Sequence, residues 1–397
     1  MPAPTPTTGI DRQLTGSDFN TFVAFQTAYN AVNSPLVLRP LRKASGGIKY
    51  APTYVQSPER PADREGVAQV QDVATLDATI SSGVSIQSFE LFRASVCGAA
   101  EVEFANTATT YAATATGFTG TSGWANNLAV GDWFFVKGFT NPLLNAVYRV
   151  VSKTATDVVT FPAPAATAAA GQSVTIESFK TVTGDVPTLL IMQDRAPSDV
   201  AAGGIDYKTV FNGFINTANM TIPETGPLTY ETTVQFERRV DGNAIIAGQS
   251  DGAAFTDDVL SSVQNIEQFI VNDVFATCSI KSMSFEYSNN NQVDQAAGCT
   301  QRIGLGQISL GGSIVARSPK SNPFVFRNYY EQGTNVLGTG VVLNFGSGRK
   351  AVIIMDRVKI TEHEQSTEAN VIASSSCTYN AGKGQYGKTL RIFRNFS

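Results

Sequence analysis

The stretch GKGQYGKTL, residues 382–390, fits the phosphate-loop pattern G-x-x-x-x-G-K-[ST] through Gly382, Gly387, Lys388 and Thr389. A phosphate loop joins a strand to a helix whose first N–H groups hold the phosphates, and it belongs to a parallel, doubly wound sheet. Here eight residues follow Thr389, and LRIFRNFS alternates as a strand does. No helix fits in that length. No chain remains for the downstream aspartate that would hold magnesium. The stretch is therefore expected to be a loose hairpin loop, with Gly382, Gly384 and Gly387 supplying positive φ and Lys388 solvated.

Upstream of that last strand the chain keeps the same character. VVLNFGSGRKAVIIMDRVKITE (341–362) reads as two strands around a GSGRK turn. CSIKSMSFEYS (278–288), GQISLGGSIVARS (306–318) and NVIASSSCTYN (370–380) read as further strands. So do AQVQDVATLDATIS (68–81), PTLLIMQD (187–194), DYKTVFNGFINTANMTI (206–222) and LTYETTVQFERRV (228–240). Near the N-terminus SPLVLRPLRKASGGIKYAPTYVQ (34–56) reads as strand, turn and strand, with Gly46–Gly47 at the turn. Helices are expected in three places. SIQSFELFRASVCG (85–98) carries Ile86, Phe89, Phe92 and Val96 on one face, closed by Gly98. DFNTFVAFQTAYNAV (18–32) has aromatics near helical spacing, and NPFVFRNYYEQG (322–333) is the third.

Residues 104–180 differ in composition. Between Phe104 and Ile176 the only charged residues are Asp132, Lys137, Arg149, Lys153 and Asp157, and both tryptophans, Trp124 and Trp133, lie here. VGDWFFVKGF, NAVYRVVSKT, DVVTF and SVTIES read as four short strands of a small inserted β-barrel-like module. Trp133 and Tyr148 are expected in its mini-core, with ligand binding as the alternative. The segments on either side echo each other. GVAQVQDVATLDATISSGVSIQSFELFRASVCG (66–98) and RIGLGQISLGGSIVARSPKSNPFVFRNYYEQG (302–333) both run strand, loop, aromatic helix, glycine. INTANMT (215–221) and IKSMSFE (280–286) read as strands of one type, which suggests an internal duplication.

Composition narrows the function. Charged residues are 16% of the 397, against about 25% in ordinary globular proteins, and the formal net charge is -4. The densest basic run, Arg39–Lys43, holds three cations, too few to displace the counterions of a tight nucleic-acid site. The cysteines Cys97, Cys278, Cys299 and Cys377 form no C-x-x-C, the nearest pair being 21 residues apart, so no structural zinc site is expected and free buried thiols are. His363, the one histidine, stands in TEHEQ and is expected to be solvated. Glu362–Glu364 and Asp257–Asp258 are acidic pairs that surface loops carry routinely. No catalytic, cofactor-binding or metal-binding residue is assigned, and no enzyme activity is expected. MPAPTPTTGIDRQL has no apolar core for a signal peptide, and apolar runs such as LLIM and AVIIM are too short to span a bilayer, so a soluble protein made in the cytoplasm is expected.

Taken in order, several of these stretches resemble the tail tube (major tail) proteins of bacteriophages with long, non-contractile tails, in the subfamily with two tandem tube domains and an inserted β module. VQSPERPADREG (55–66) resembles that family's loop into the first tube domain. AVGDWFFVKGFTNPLLNAVYRVVSKTATDVVTF (129–161) resembles the inserted module, and NGFINTANMTIPETGPLTYETTVQF (212–236) the strand pair ending the first domain. SIKSMSFEYSNNNQ, IGLGQISLGGSIVA, VIIMDRVKITE and GKTLRIF follow in the order of the second domain. Asp356 stands where the family often has proline, and CTYNAGKGQYGKT has no clear counterpart.

The resemblance implies a mainly β chain: an N-terminal arm and first strands (1–55), and a first tube domain (56–103 and 181–245) interrupted by the module (104–180). A linker (246–269) and a second tube domain (270–397) follow, each tube domain a β-sandwich flanked by a helix. It implies homotrimeric, pseudo-hexameric rings stacked into a hollow virion tail, assembled in the host cytoplasm. Its partners would be tail tip or baseplate and tail terminator proteins, a tape-measure protein in the lumen, and DNA that passes without specific binding. There would be no membrane insertion of its own. Lys388 becomes a candidate ring contact, and the module is expected to project outward to stiffen the tail or touch host surfaces. The alternative is a phage surface, decoration or adhesin-like β binding protein.

Overall fold

The computed structural model describes residues 20–26, 28–31, 35–56, 69–98, 101–184, 188–198, 204–242, 245–254, 256–276, 280–294, 301–318, 326–366 and 373–396. The chain is mainly β. It opens with β1 (Asn20–Gln26), β2 (Leu36–Pro40), β3 (Ser45–Gln56), β4 (Gln69–Gly83) and helix α1 (Ile86–Val96). The module supplies β5 (Val102–Ala108), β6 (Ala112–Ala113), β7 (Gly117–Thr119), β8 (Trp133–Lys137), β9 (Val147–Lys153), β10 (Asp157–Phe161) and β11 (Val174–Val182). Next come β12 (Leu189–Pro197), β13 (Ile205–Ile222), β14 (Thr229–Gln235), β15 (Arg238–Gly242), β16 (Gln249–Asp251) and α2 (Ser262–Asn265). Then follow β17 (Ile266–Val271), β18 (Val274–Phe275), β19 (Ile280–Ser288), β20 (Gln292–Asp294), β21 (Arg302–Gly304) and β22 (Ser309–Arg317). The chain ends with α3 (Arg327–Glu331), β23 (Asn335–Asn344), β24 (Lys350–Ser366), β25 (Ser374–Gly382) and β26 (Leu390–Arg394).

Three local expectations change. The helix expected at 18–32 is a strand where it is described: β1 pairs antiparallel with β12 from Asn20↔Arg195 to Gln26↔Leu189. Its run of β-branched and aromatic residues suits a pleat, and Thr21 and Val23 point inward with period two. Gly46 and Gly47 lie inside β3, paired with Ile80 and Thr79, rather than at a turn. Gly46 is required there because its φ is +104° and a Cβ would come within 1.8 Å of the Thr79 carbonyl oxygen. The stretch 246–269, read as a linker, carries β16, α2 and most of β17, and β17 pairs with β23. Around 322–333 the described helix is the five-residue α3.

The pairing order repeats. In the first unit β3 pairs β4, β4 pairs β14, and β14 pairs the C-terminal half of β13, whose N-terminal half lies between β12 and β15. In the second unit β19 pairs β22, β22 pairs β25, and β25 pairs the C-terminal half of β24, whose N-terminal half lies between β23 and β26. Even the irregularities match. The register shifts at Ile215/Thr217 in β13 and at Ile360/Glu362 in β24. Helix α1 follows β4 as α3 follows β22. INTANMT and IKSMSFE turn out to be partners rather than counterparts: β13 and β19 pair antiparallel from Thr217↔Ser288 to Ile222↔Met283. That joint makes one sheet of both units.

The units share a single core. The face expected of α1 is confirmed, with Ile86, Phe89, Phe92 and Val96 all buried. Phe92 meets Tyr230 of the first unit edge-on at 6.2 Å and Phe285 of the second at 6.4 Å. Phe89 lies 5.1 Å from Phe345. The module has its own core, built around Tyr111, Phe118, Trp124, Phe134 and Tyr148. Although inserted in the sequence of the first unit, it joins the second. β11 pairs with β5, β8 and also β26. Strand β8 is buried on both faces, which is why WFFV reads as an unbroken apolar run. Trp133 faces away from the module core and packs with Phe135, Val352, Ile354 and Phe393.

Because one helix ties both units together, Phe92→Ala should destabilise the whole chain by about 3–5 kcal/mol. Differential scanning calorimetry should show one transition for both units, shifted down as a whole. Two separate transitions, only one of them moved, would contradict a shared core.

Candidate functional site

The glycine–lysine loop is not built to hold phosphate. Gly382 ends β25 and Leu390 opens β26. Both strands pair along one edge of β24, β25 with Arg357–Ser366 and β26 with Ala351–Met355. The loop is thus an excursion between two segments of one sheet position, passing over Asp356. Three of its donors are committed: Gly384 N–H to the Lys388 carbonyl at 3.1 Å, Gly387 N–H to the Gly384 carbonyl at 3.0 Å, and Thr389 N–H to Thr183 Oγ1 at 3.2 Å. Of the three glycines expected at positive φ only Gly387 has it, at 70°. Gly384 is needed for space, since a Cβ would lie 2.3 Å from the Asp356 Cβ.

The loop covers a buried charge cluster. Arg391 donates from Nε to Asp356 Oδ1 at 2.6 Å and from a terminal nitrogen to the Gly131 carbonyl at 2.9 Å. Its guanidinium also lies 3.5 Å from Asp132 Oδ1, which Lys180 meets at 2.7 Å. Ala129 N–H donates to the other Asp132 oxygen at 3.0 Å. Tyr386, carried by the loop, stacks on the guanidinium with 4.0 Å to its ring centroid. Its ring occupies the space a Cβ at Gly131 would need, 2.0 Å away. Asp356 Oδ2 is buried without a partner. Burial raises the Asp356 carboxyl above its ordinary range, opposed by Arg391. A proline at this position would lose the N–H that Asp356 donates to the Thr389 carbonyl at 3.4 Å.

The other candidates are dispersed. His363 Nε2 lies 2.8 Å from Ser375 Oγ, and its ring stacks on Tyr330 with centroids 6.4 Å apart. Burial lowers its pKa. It is half-buried on β24 rather than solvated in a loop. Its contact with Ser375 has the distance of a base–nucleophile pair, but no described hydrogen bond joins the ring to a carboxylate that would orient it. Glu362 accepts from Thr378 Oγ1 at 3.2 Å, while Asp257 pairs with Arg349 at 2.9 Å. Among the described residues no group of three or more His, Cys, Asp or Glu could hold a metal ion. Cys97 and Cys377 are free and buried, which pushes both thiols up to about 12. Cys278 and Cys299 lie outside the described residues. Trp124 and Tyr148 are core residues of the module, Trp124 donating to the Thr156 carbonyl at 2.8 Å. No described helix is long and apolar enough to cross a membrane.

What remains as a surface with a definite character is the outward face of the joined sheet. Its strands put Thr217, Asn219, Glu231, Glu286, Ser313 and Thr378 on one side, with the shared core on the other. Across residues 217–221, 229–233, 284–288, 309–313 and 374–380 there is no lysine or arginine. The face is concave where it crosses the β13–β19 joint, with a cleft of about 500 Å³. No sequence motif marks it, because Thr and Ser at alternate positions signal only the exposed side of a strand.

No family model matches this chain, and no curated protein matches it.

Removing Arg391 leaves Asp356 and Asp132 buried without their cation, so Arg391→Ala should cost about 3–5 kcal/mol in denaturant melts. The raised Asp356 carboxyl stabilises the fold when protonated. Its contribution is complete below the ordinary value of 3.8 and is lost as pH rises through the higher folded value. The melting temperature of the wild type, taken relative to Asp356→Asn, should therefore fall as pH rises above that value. A difference that is flat or grows with pH would contradict the burial argument.

Proposed function

We propose that the chain is a tail tube protein of a long, non-contractile bacteriophage tail, whose rings stack into the conduit for DNA delivery. The observation that carries this reading is the joined sheet. Two units of matching strand order form one continuous sheet, with an apolar face on a shared core and a concave, hydroxyl- and carboxylate-bearing face on the other side. Such a face suits a lumen. DNA is held through cation contacts to its phosphates, and the stretch at the β13–β19 joint offers none, its nearest exposed cations being Arg317 opposite Ser374 and Lys359 opposite Asn380, while Glu231 and Glu286 repel the backbone at short range. Low charge content fits a chain that covers much of its surface with copies of itself.

On this reading two units per chain make a trimer a pseudo-hexamer. Stacking would start from tail tip or baseplate proteins, be measured by a tape-measure protein in the lumen, and stop at a terminator. The module, held by β11 on β26, would form the outside of the tail on this reading. The protein has no chemistry in this scheme, only a passive wall.

Negative-stain microscopy of the purified chain, and of virions that contain it, should show rings or hollow tubes. Particles that form neither would sink the reading. Glu231→Lys with Glu286→Lys should leave tube formation intact. It should also give the tubes a salt-sensitive retention of DNA in filter binding that the wild type lacks. Equal retention by both would remove the lumen assignment.

A further inference from the structure

The one histidine of the chain, His363, lies between strand β25 and helix α3. Helix α3 is five residues long, too short to hold its own shape, so its helical form depends on what it packs against. The residue before it, Phe326, makes no side-chain hydrogen bond to the first turn, so the helix is uncapped there. Phe326 is fully buried in the shared core, and Tyr329 packs against that core. On the β24 side, Lys359 Nζ donates to the Gly333 carbonyl just past the helix. The Tyr330 ring stacks on the His363 imidazole with centroids 6.4 Å apart and planes at 23°. We propose that α3 is a clasp on β24 that acid releases, with His363 as its trigger. The clasp belongs to the single chain and does not rest on the tube reading.

The groups around the imidazole suit it neutral. From β25, Ser375 Oγ lies 2.8 Å from Nε2. Strand β25 carries no charged residue along Ser374–Gly382. Cys377, directly opposite His363, is a buried thiol pushed up to about 12, so it stays neutral in acid. Helix α3 brings Tyr330, Arg327 and Glu331 to the ring. Glu331 is engaged by Arg327 at 2.6 Å. On β24 itself Glu362 and Glu364 flank His363 and point to the other face, Glu362 accepting from Thr378 Oγ1 at 3.2 Å. Lys359 is turned to Gly333. No described carboxylate hydrogen-bonds the ring, so an imidazolium gains no ion pair there. The 6.4 Å to the tyrosine centroid exceeds the roughly 6 Å within which a ring attracts a cation, so Tyr330 does not compensate.

Docking and protonation therefore oppose each other. Burial lowers the imidazole pKa, the Arg327 charge lowers it further, and Glu331 works against both. Arg327 acts on the ring only while α3 is docked. Linkage is reciprocal: a helix that disfavours the proton is disfavoured by it, by the same factor. The sign follows. With α3 docked, His363 titrates below the ordinary 6.5, so its contribution to docking is complete above that value and is lost as pH falls through the lower, docked value. The chain has no second imidazole, so no other side chain with an ordinary pKa in that range shares the transition. The change is also local, because no residue of α3 itself is fully buried and the core does not depend on it.

Two measurements on the full chain test the clasp. Because His363 is the only histidine, isotope-labelled histidine gives a single ring resonance whose shift follows its protonation. The midpoint should lie below 6.5 in the wild type and move up in Arg327→Gln and in Tyr330→Ala. Hydrogen exchange read by mass spectrometry over residues 326–333 reports the helix itself. Dividing the wild-type rate by that of His363→Gln at each pH removes the intrinsic pH dependence of exchange. The ratio should be constant above about pH 7 and rise severalfold between 6.5 and about pH 5, while the same ratio for α1 stays flat. With Arg327→Gln in both chains the rise should shrink. A midpoint at or above 6.5, or a ratio flat down to about pH 5, overturns the trigger. An equal rise in α1 means that the whole chain opens, and it overturns the local clasp.

Discussion

Strand β13 is the constraint on which the rest of the molecule depends. Its residues Ile205–Ile222 are bonded along both edges by four other strands, β12, β14, β15 and β19. A buried strand with an unpaired edge leaves N–H and C=O groups without partners, each a cost comparable to a lost hydrogen bond. β12 and β15 cover its first half, and β14 and β19 its second. Because β19 belongs to the other unit, satisfying β13 forces the two units into one sheet. Once the sheet is continuous, its apolar face needs one cover, and α1 supplies it through Phe89 and Phe92.

In the second unit β24 is paired along both edges over Ala351–Met355, by β23 and β26, and β26 carries the sheet outward. Along one edge β26 meets β24 and along the other β11, so the module is attached by backbone hydrogen bonds as well as by Trp133 packing. Arg391 sits on β26 at that seam, between Asp356 of the second unit and Asp132 of the module. A buried ion cluster contributes little net stability against a well-packed apolar alternative, but breaking it is costly. Its role here is to fix which face of the module meets the sheet. The glycine–lysine loop serves the same seam: Gly384 lets it pass over Asp356, and Tyr386 closes the guanidinium from solvent.

Much of this was legible in the sequence where local pattern is strong. The α1 face, the hairpin around GSGRK and the four module strands follow from periodicity and turn chemistry, and so does the rejection of the phosphate loop. The miss at 18–32 has a clear cause. Phe22, Val23 and Phe25 suit a helix face and a strand equally, and only the presence of β12 alongside decides between them. The linker at 246–269 was misread for a related reason. Gly and Asp content marks turns, but β16 is a three-residue strand held by parallel pairing with β2, which no local signal announces. The candidate lumen face was illegible because its threonines and serines are ordinary strand-surface residues until the strands are placed side by side.

The sequence by itself determined the mainly β fold class and the order of its parts: a chain poor in charge, rich in alternating strands, doubled in its element order, and interrupted by a module of distinct composition. Those properties are local, written in periods of two and in turns. Tertiary structure alone decided that INTANMT and IKSMSFE are partners rather than copies, that the two units share one core, and that Trp133 belongs to a seam. It also placed Asp356 and Arg391 together under the loop. Each of these is a pairing between residues far apart in the chain. Edge hydrogen bonds and buried charges are satisfied by whatever the fold brings alongside, and no local pattern names that neighbour.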